Sequence, residues 1–203
     1  MTEIILATHN IHKARELKTL LSDLNVDVLT LDDISTNIVL REDGDTFEAN
    51  AFQKANIVHN HTKLISLADD SGLEVFYLNG RPGVFSARYA GAEATDEMNN
   101  RKLLEEVRGV APRRRRAQFR SVLALIGDGM EDMTEGICPG TIGETPRGTN
   151  GFGYDPIFIP DGFDKTYAEL TAEEKNLISH RARSFAKMKK VMKTKLRPLT
   201  TDK

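Results

Sequence analysis

The sequence predicts an α/β protein whose mixed central sheet is flanked by helices. Short runs of apolar and β-branched residues recur along the 203 residues, and segments with helical periodicity separate many of them. Between residues 64 and 90 only Asp-Ser-Gly, Asn-Gly and Pro-Gly turn signals separate the runs, so antiparallel neighbours are expected beside parallel ones. The predicted strands are residues 3–7, 26–31, 64–68, 73–78, 84–90, 117–126, 133–138 and 156–159.

Three helix starts carry recognisable capping signals. Asp45-x-x-Glu48 and Thr171-x-x-Glu174 both match the capping box, in which two side chains satisfy backbone N–H groups at a helix start. Thr95 precedes acidic residues and the helical segment NNRKLLEEV. We therefore expect helices to begin just after Asp45, Thr95 and Thr171.

Composition indicates one globular domain that spans residues 1–203. No Pro/Gly/Ser-rich linker divides the chain, and the net charge of −2 does not favour a dedicated nucleic-acid binder. The absence of a long apolar run or a basic leader predicts a cytoplasmic protein. The single cysteine, Cys138, excludes an intramolecular disulfide and a Cys-rich zinc site, and we expect it to lie half-buried on a strand.

Positive charge opens the helix that follows the first strand. Lys13 and Arg15 lie where the helix dipole disfavours cations, just after Thr8-His9-Asn10. A bound phosphate or carboxylate would offset that cost. The alternative is that Asn10 simply caps the helix while Lys13 is solvated. Neither the Walker nor the Rossmann glycine fingerprint is present.

A second lysine interrupts an apolar helix face. Phe47, Ala51, Ala55 and Val58 form a stripe at helical spacing, and Lys54 falls on it. Its ammonium group must either reach solvent along the helix surface or meet an anion.

Two adjacent carboxylates follow the apolar run 64–68. Asp69 and Asp70 would lie beyond the carboxyl end of a strand, where α/β proteins bind ligands, and could hold Mg²⁺ or act as a general base. Adjacent strand residues face opposite ways, so only one of them is expected to enter a site. The alternative for Asp-Ser-Gly is an Asx turn. Glu42 is a candidate second metal carboxylate, or else a solvated loop charge.

A glycine-rich loop precedes the last predicted strand. Residues 139–153 contain five glycines and two prolines, which predicts a loop about fifteen residues long. It leads into NGFGYDPIF, in which Phe152 and Tyr154 could lie against a planar heterocycle. The alternative is that these aromatic residues cap the core.

The last predicted helix carries Lys175 in its first turn and His180-Arg181 further along. Five residues correspond to about 140° around a helix axis, so Lys175 and His180 do not share a face. They can converge only if the helix is distorted or the site is a broad cleft. The arginine run 113–116 lacks interleaved aromatic residues, and we interpret it as a solvated loop.

Taken together, these segments resemble the inosine/xanthosine triphosphate pyrophosphatase family. The similarity extends in order from about residue 3 to residue 190. The motifs that carry it are Thr8-x-Asn10-x-x-Lys13, Asp69-Asp70-Ser71-Gly72, Pro82-Gly83 with Ser86-Ala87-Arg88-Tyr89, Gly151-Phe152-Gly153-Tyr154-Asp155-Pro156 and Ser179-His180-Arg181.

The resemblance implies an elongated two-lobed α/β fold with a long mixed sheet and an active-site cleft between the lobes, usually in a homodimer. It also implies Mg²⁺-dependent cleavage of noncanonical purine nucleoside triphosphates such as ITP, dITP and XTP. The products would be the nucleoside monophosphate and pyrophosphate, which keeps these bases out of DNA and RNA.

The resemblance further assigns expected roles to individual residues. Asp70 would be the general base and a metal ligand, and Glu42 the other metal carboxylate. The phosphate loop would be Thr8, His9, Asn10, Ile11, His12 and Lys13. Further substrate contacts would be Ser71, Lys54 and Lys175. The purine pocket would comprise Phe152, Gly153, Tyr154, Asp155, His180 and Arg181. The resemblance thus implies that one bound triphosphate accounts for Lys13, Lys54 and Lys175, whose positions are unfavourable for the fold alone.

The sequence departs from the family pattern at the phosphate loop. His9 and His12 stand where many members have glycine, and imidazoles are bulkier and titrate near neutral pH. Tyr154 stands where some members carry tryptophan.

Three other functions remain open on the sequence. A nucleotide-binding protein without hydrolytic activity would use the same loops. A nucleic-acid-binding module would use Arg113–Arg116. An aspartyl-phosphate phosphatase with Asp70 as nucleophile is a third reading, although the usual Asp-x-Asp spacing is missing.

Overall fold

The computed structural model describes residues 2–34 and 37–196. Within these ranges six strands form one sheet in the order β2-β1-β3-β4-β5-β6. The strands are β1 (Thr2–Leu6), β2 (Val26–Thr30), β3 (Ile65–Val75), β4 (Arg116–Gly127), β5 (Met130–Ile142) and β6 (Phe158–Pro160). The helices are α1 (Ile11–Leu21), α2 (Phe47–Thr62), α3 (Asp96–Glu106), α4 (Ala172–Ile178) and α5 (His180–Lys195).

The sheet is mixed, as predicted, although the antiparallel pair β5–β6 lies outside residues 64–90, where the turn signals that suggested it stand. β1 lies parallel to both β2 and β3, and β5 pairs with β6 in the antiparallel sense. Helical connections join the parallel strands, since α1 links β1 to β2 and α2 precedes β3. The α/β fold class is therefore confirmed.

The described chain divides into two compact units. The first holds the described residues within 1–69, 122–135 and 184–196, and the second holds Asp70–Ser121 and Gly136–Arg183. Each has its own buried apolar cluster. The first cluster includes Ile4, Leu17, Leu67, Leu125, Phe185 and Met188, and the second includes Leu73, Leu103, Phe119, Ile142, Phe158 and Tyr167.

β3 is longer than the sequence predicted. It runs without interruption from the first predicted strand into the second, so Asp69-Asp70-Ser71-Gly72 lies within a strand and the expected turn there is wrong. The strand ends at Val75, and the last three residues of the predicted strand 73–78 form a 3₁₀ helix, Phe76–Leu78. Pairing with β1 ends at Leu67, but the neighbour on the other side, β4, is twelve residues long. The longer neighbour keeps the backbone extended beyond the point where β1 stops.

The predicted strand 84–90 is also wrong. This segment contains a 3₁₀ helix at Gly83–Arg88. Side chains satisfy its backbone groups in place of a strand partner. Ser86 Oγ donates to the Gly83 carbonyl at 2.6 Å, and the Asn99 amide donates to the Ala87 carbonyl and accepts from Ala90 N–H. Ser86 Oγ also accepts from Leu73 N–H of β3 at 2.9 Å, which ties the segment to the sheet. Apolar composition alone could not distinguish this arrangement from a strand.

The helix starts follow the predictions with one shift. Thr95 and Thr171 cap α3 and α4 as expected, and the Thr171 capping box is formed. At α2 the cap is Thr46, whose side chain accepts from Ala49 N–H at 3.1 Å, and not Asp45. Thr46 has the extended conformation that an N-cap requires, φ −135° and ψ 156°.

Two further segments differ from the predictions. The glycine-rich loop is shorter than predicted, because β5 continues to Ile142 and pairs with β6. The loop comprises residues 143–154. The arginine run is not fully solvated. Arg115 is 7% exposed, and its guanidinium donates to the Val110 carbonyl at 2.8 Å. Cys138 lies on β5 and is buried, so the half-buried expectation understated its burial.

No helix in the part of the chain that the structure describes is long and apolar enough to cross a membrane.

We predict that Gly140→Ala destabilises the second unit, whereas Gly143→Ala does not. An added Cβ at Gly140 would lie 2.4 Å from the Ile159 carbonyl oxygen and 2.6 Å from Phe158 Cζ. At Gly143 the nearest atoms are 3.6 Å away, which is ordinary contact. Urea unfolding should show a loss of about 2–3 kcal/mol at Gly140 and a change below about 1 kcal/mol at Gly143. Equal losses would contradict this explanation.

Candidate active site

The first group of candidate residues lies where β1 leads into α1. The Asn10 side chain caps α1 and accepts from the backbone N–H groups of His12 and Lys13 at 3.0 and 3.1 Å. Thr8 Oγ accepts from Asn10 N–H at 3.1 Å. The capping reading of Asn10 is thus confirmed. These bonds give the loop one defined conformation at the helix start.

Lys13 is not solvated, contrary to the alternative considered from the sequence. Its Nζ lies 3.0 Å from Asp69 Oδ2, and the Asp69 side chain is fully buried. This ion pair joins the first turn of α1 to β3, just past Leu67, where the parallel pairing of β1 and β3 ends. An anion does meet Lys13 at the helix start, and that anion is a carboxylate of the chain itself.

Lys54 reaches the same strand from α2. It is only 2% exposed, and its Nζ donates to Glu42 Oε1 at 2.6 Å and to the Asp69 carbonyl at 2.8 Å. The ammonium therefore meets an anion and does not extend to solvent. Glu42 is that anion, so it is an ion-pair partner and not a simple solvated charge, although 38% of its side chain is exposed. Lys13 and Lys54 thus converge on Asp69, one at its carboxylate and the other at its carbonyl.

His9 connects the loop between β1 and α1 to the segment that carries Glu42. Its Nε2 lies 3.0 Å from the Ile38 carbonyl oxygen, within hydrogen-bond distance. A glycine, which many family members have here, could not make this contact. Ile11 is 57% exposed at the start of α1.

The second group centres on Asp155, which is 2% exposed. One of its carboxylate oxygens, Oδ2, accepts from Lys175 Nζ at 2.6 Å and from Phe152 N–H at 2.9 Å. A Cβ at Gly151 would lie 2.0 Å from that oxygen, and Gly151 has φ +76°. Only glycine allows the loop to fold this closely around the carboxylate.

A break between two helices brings Lys175 and Arg181 together. The predicted single helix is wrong: α4 ends before Ser179, whose φ −65° and ψ 155° are extended, and α5 begins at His180. The helix is thus distorted between Lys175 and His180, which is one of the two arrangements considered from the sequence. Lys175 Nζ and Arg181 Cζ consequently lie 5.1 and 5.5 Å from the centre of the Phe152 ring. The aromatic ring is within cation–π distance of both.

Ser71 belongs to this second group as well. Arg181 Nη2 donates to Ser71 Oγ at 2.9 Å. Ser71 follows Asp70 on β3, and Asp70 follows the Asp69 that binds both lysines of the first group. Consecutive residues of one strand therefore belong to the two groups. The sequence offered Asp69 and Asp70 together as candidate carboxylates, but the resemblance assigned a role to Asp70 alone, because adjacent strand residues were expected to face opposite ways.

The other two candidates with rings, Tyr154 and His180, are buried. Tyr154 is buried, and its hydroxyl donates to the Ser86 carbonyl at 2.9 Å. Burial raises its pKa above the usual value, which keeps the hydroxyl protonated for this bond. The His180 ring stacks on Phe119 at 4.7 Å. Phe152, which is partly exposed, remains the aromatic side chain available to a planar ligand.

The arrangement of these residues can be compared with known proteins. The sequence model of the Ham1 family matches residues 4–191. The chain belongs to the Ham1 family. Curated relatives named dITP/XTP pyrophosphatase include a Clostridium perfringens protein, 46% identical over 200 residues that cover 95% of this chain and 98% of that protein. A Bacillus licheniformis protein of the same name is 50% identical over 189 residues, covering 93% and 96%.

The fold comparison agrees with this assignment to the Ham1 family. The solved structure of a HAM1 protein from Coxiella burnetii superposes with a TM-score of 0.87 and 41% identity, covering 96% of this chain and 100% of that one. The family resemblance predicted from the motifs is therefore confirmed.

We predict that Lys175 and Asp155 are energetically coupled. Lys175→Met leaves a buried carboxylate without its cation and should cost about 3–5 kcal/mol of unfolding free energy. Asp155→Asn should also destabilise. The double variant should be less unstable than the sum of the two by about 1–3 kcal/mol. Urea unfolding measures all three, with Lys165→Met, at an exposed lysine, as the control. Simple additivity would show that the pair is not coupled.

Proposed function

We propose that this Ham1 protein hydrolyses noncanonical purine nucleoside triphosphates, namely ITP, dITP and XTP, to the nucleoside monophosphate and pyrophosphate. The observation that carries the proposal is the convergence of Lys13 and Lys54 on Asp69, with Glu42 beside them. Burying two ammonium groups beside carboxylates contributes little to stability compared with apolar packing. A triphosphate that binds a divalent cation needs both kinds of charge in one place.

The relatives narrow the reaction class. Proteins 46 and 50% identical to this one over nearly their whole length are named for pyrophosphatase activity on dITP and XTP. Four of the five motifs that carried the family resemblance contribute residues to the two groups described above. This favours hydrolysis over the non-hydrolytic nucleotide-binding reading.

The carboxylates suit Mg²⁺, which we propose as the cofactor. Mg²⁺ is usually held by one or two carboxylates together with waters and substrate phosphates. No cluster of three or more Asp, Glu, His or Cys side chains is arranged for a metal ion within the described ranges, and this mode of binding requires none. Glu42 and Asp70 would hold the ion. When bound, it would neutralise phosphate charge and polarise the phosphorus–oxygen bonds.

Asp70 would act on the attacking water. Its carboxylate accepts a proton as the water oxygen forms a bond to the α-phosphorus. The bridging oxygen between the α- and β-phosphorus atoms leaves with pyrophosphate. Lys13 and Lys54 would bind the phosphate oxygens, together with the backbone of the loop from Thr8 to Lys13.

The second group would hold the purine. Phe152 offers a partly exposed ring, and Lys175 and Arg181 both lie within cation–π distance of it. Hydrogen bonds from His180 or Arg181 to the 6-oxo oxygen would reject adenine, which carries an amino group there. Ser71 would contact the substrate through its hydroxyl. The homodimer expected from the resemblance and the cytoplasmic location expected from the sequence form part of the proposal, and light scattering tests the dimer.

A coupled assay tests the proposed reaction. ITP, XTP, GTP and ATP are incubated with and without Mg²⁺, and orthophosphate is measured in the presence and absence of an inorganic pyrophosphatase. We expect signal from ITP and XTP only when the coupling enzyme and Mg²⁺ are both present. Orthophosphate without coupling would indicate terminal-phosphate hydrolysis, and no turnover would favour the non-hydrolytic reading.

We predict that Asp70→Asn folds normally and loses most turnover. Loss of a general base typically lowers the rate by about 10² to 10⁴. The measurement is pyrophosphate release from ITP, with circular dichroism to verify the fold. Asp164→Asn makes the same chemical change at an exposed position of the second unit and should retain full turnover. Near-normal activity of Asp70→Asn would refute its role as the base.

A further inference from the structure

We infer that two residues of α3, Asp96 and Asn100, are positioning residues for purine recognition, because they hydrogen-bond the backbone N–H and the backbone carbonyl of Gly153 in the glycine-rich loop. Gly153 N–H donates to Asp96 Oδ2 at 2.6 Å, and Asn100 Nδ2 donates to the Gly153 carbonyl at 2.9 Å. The inference rests on the proposed function, since it concerns the loop assigned there to the purine. Neither residue was a site candidate in the sequence.

The helix geometry makes these two contacts a matched pair. Asp96 and Asn100 are four residues apart and therefore lie on the same face of α3, one above the other. Asp96 is the first residue of the helix, where a carboxylate is favoured by the helix dipole. Asn100 is 6% exposed, so its amide has little conformational freedom. The helix presents one fixed acceptor and one fixed donor to the loop.

Packing alone does not hold the loop on this side. A cavity of about 770 Å³ lies between α3 and the loop, lined by α3 residues and by residues 148–153 of the loop. Gly153 has φ +61°, and no heavy atom of the described residues beyond its chain neighbours lies within 4 Å of the point where a Cβ would sit. The two hydrogen bonds therefore restrain the peptide groups on either side of Gly153 where packing does not.

Displacement of Gly153 would move the groups that face the purine. Phe152 precedes Gly153, and its N–H donates to the Asp155 carboxylate, which in turn binds Lys175. A shift of about 1 Å in such a chain of contacts is enough to weaken recognition strongly. The phosphate-binding residues proposed above are not part of this chain. Loss of the α3 contacts should therefore weaken binding of the base and spare binding of the phosphates.

Binding measurements with two simple probes separate these effects. Calorimetry with IMP reports on the base, and calorimetry with inorganic triphosphate and Mg²⁺ reports on the phosphate site. In Asn100→Leu and Asp96→Ala the Kd of IMP should rise about tenfold or more, equivalent to one lost hydrogen bond of about 1.4 kcal/mol. The Kd of inorganic triphosphate should stay within about twofold. The preference for IMP over AMP should fall in parallel.

Matched variants provide the controls. Asp96→Asn keeps an oxygen that can accept from Gly153 N–H and should restore IMP binding to near the wild-type value. Glu97→Ala and Arg101→Ala change exposed neighbours on α3 that make no hydrogen bond to Gly153 and should leave both Kd values unchanged. If Asn100→Leu does not fold, Asp96→Ala at its exposed position provides the same test.

The outcomes distinguish the inference from the proposed function. Parallel loss of IMP and triphosphate binding, or unchanged IMP binding in folded variants, would overturn the positioning role. A wild-type protein that binds IMP but releases no pyrophosphate from ITP would overturn the proposed function and leave the positioning role to be decided by the IMP values. A wild-type protein that does not bind IMP at all would overturn both.

Discussion

Buried ammonium groups are the constraint on which the candidate site depends. Lys54 and Lys175 are almost fully buried, and Lys13 has only 14% of its side chain exposed. A charge in such a place is tolerated only beside an opposite charge and hydrogen-bonding groups. Each lysine has a carboxylate within 3.0 Å or less. The local backbone conformations position those carboxylates beside the lysines.

Two of these backbone arrangements contradict local propensity. β3 continues through an Asp-Ser-Gly sequence that favours a turn, and this holds Asp69 in an extended, buried position. The glycine-rich loop folds around Asp155 so closely that Gly151 has no room for a side chain. Sequences tend to violate local rules at functional sites, because the geometry that chemistry needs differs from the geometry that local propensity prefers.

The predictions from sequence succeeded where local signals decide the structure. Thr95 and Thr171 cap their helices, because a cap depends on a few neighbouring residues. The predictions were wrong where residues distant in sequence decide the local structure. The segment 84–90 lies mostly in a 3₁₀ helix because Asn99 and Leu73 bind its polar groups. Arg115 is buried because the Val110 and Gly143 carbonyls accept its donors, and Gly143 lies 28 residues away in sequence.

The sequence by itself determined the fold class, the family and the identity of the charged residues that do not suit a purely structural role. It did so because hydrophobic periodicity, caps and ordered motifs are properties of the chain. Only the tertiary structure decided which carboxylate each lysine meets. It also showed that Ser179 separates two helices and that α3 holds Gly153. These contacts join residues up to 57 positions apart, and pairings over such distances depend on how the strands and helices pack.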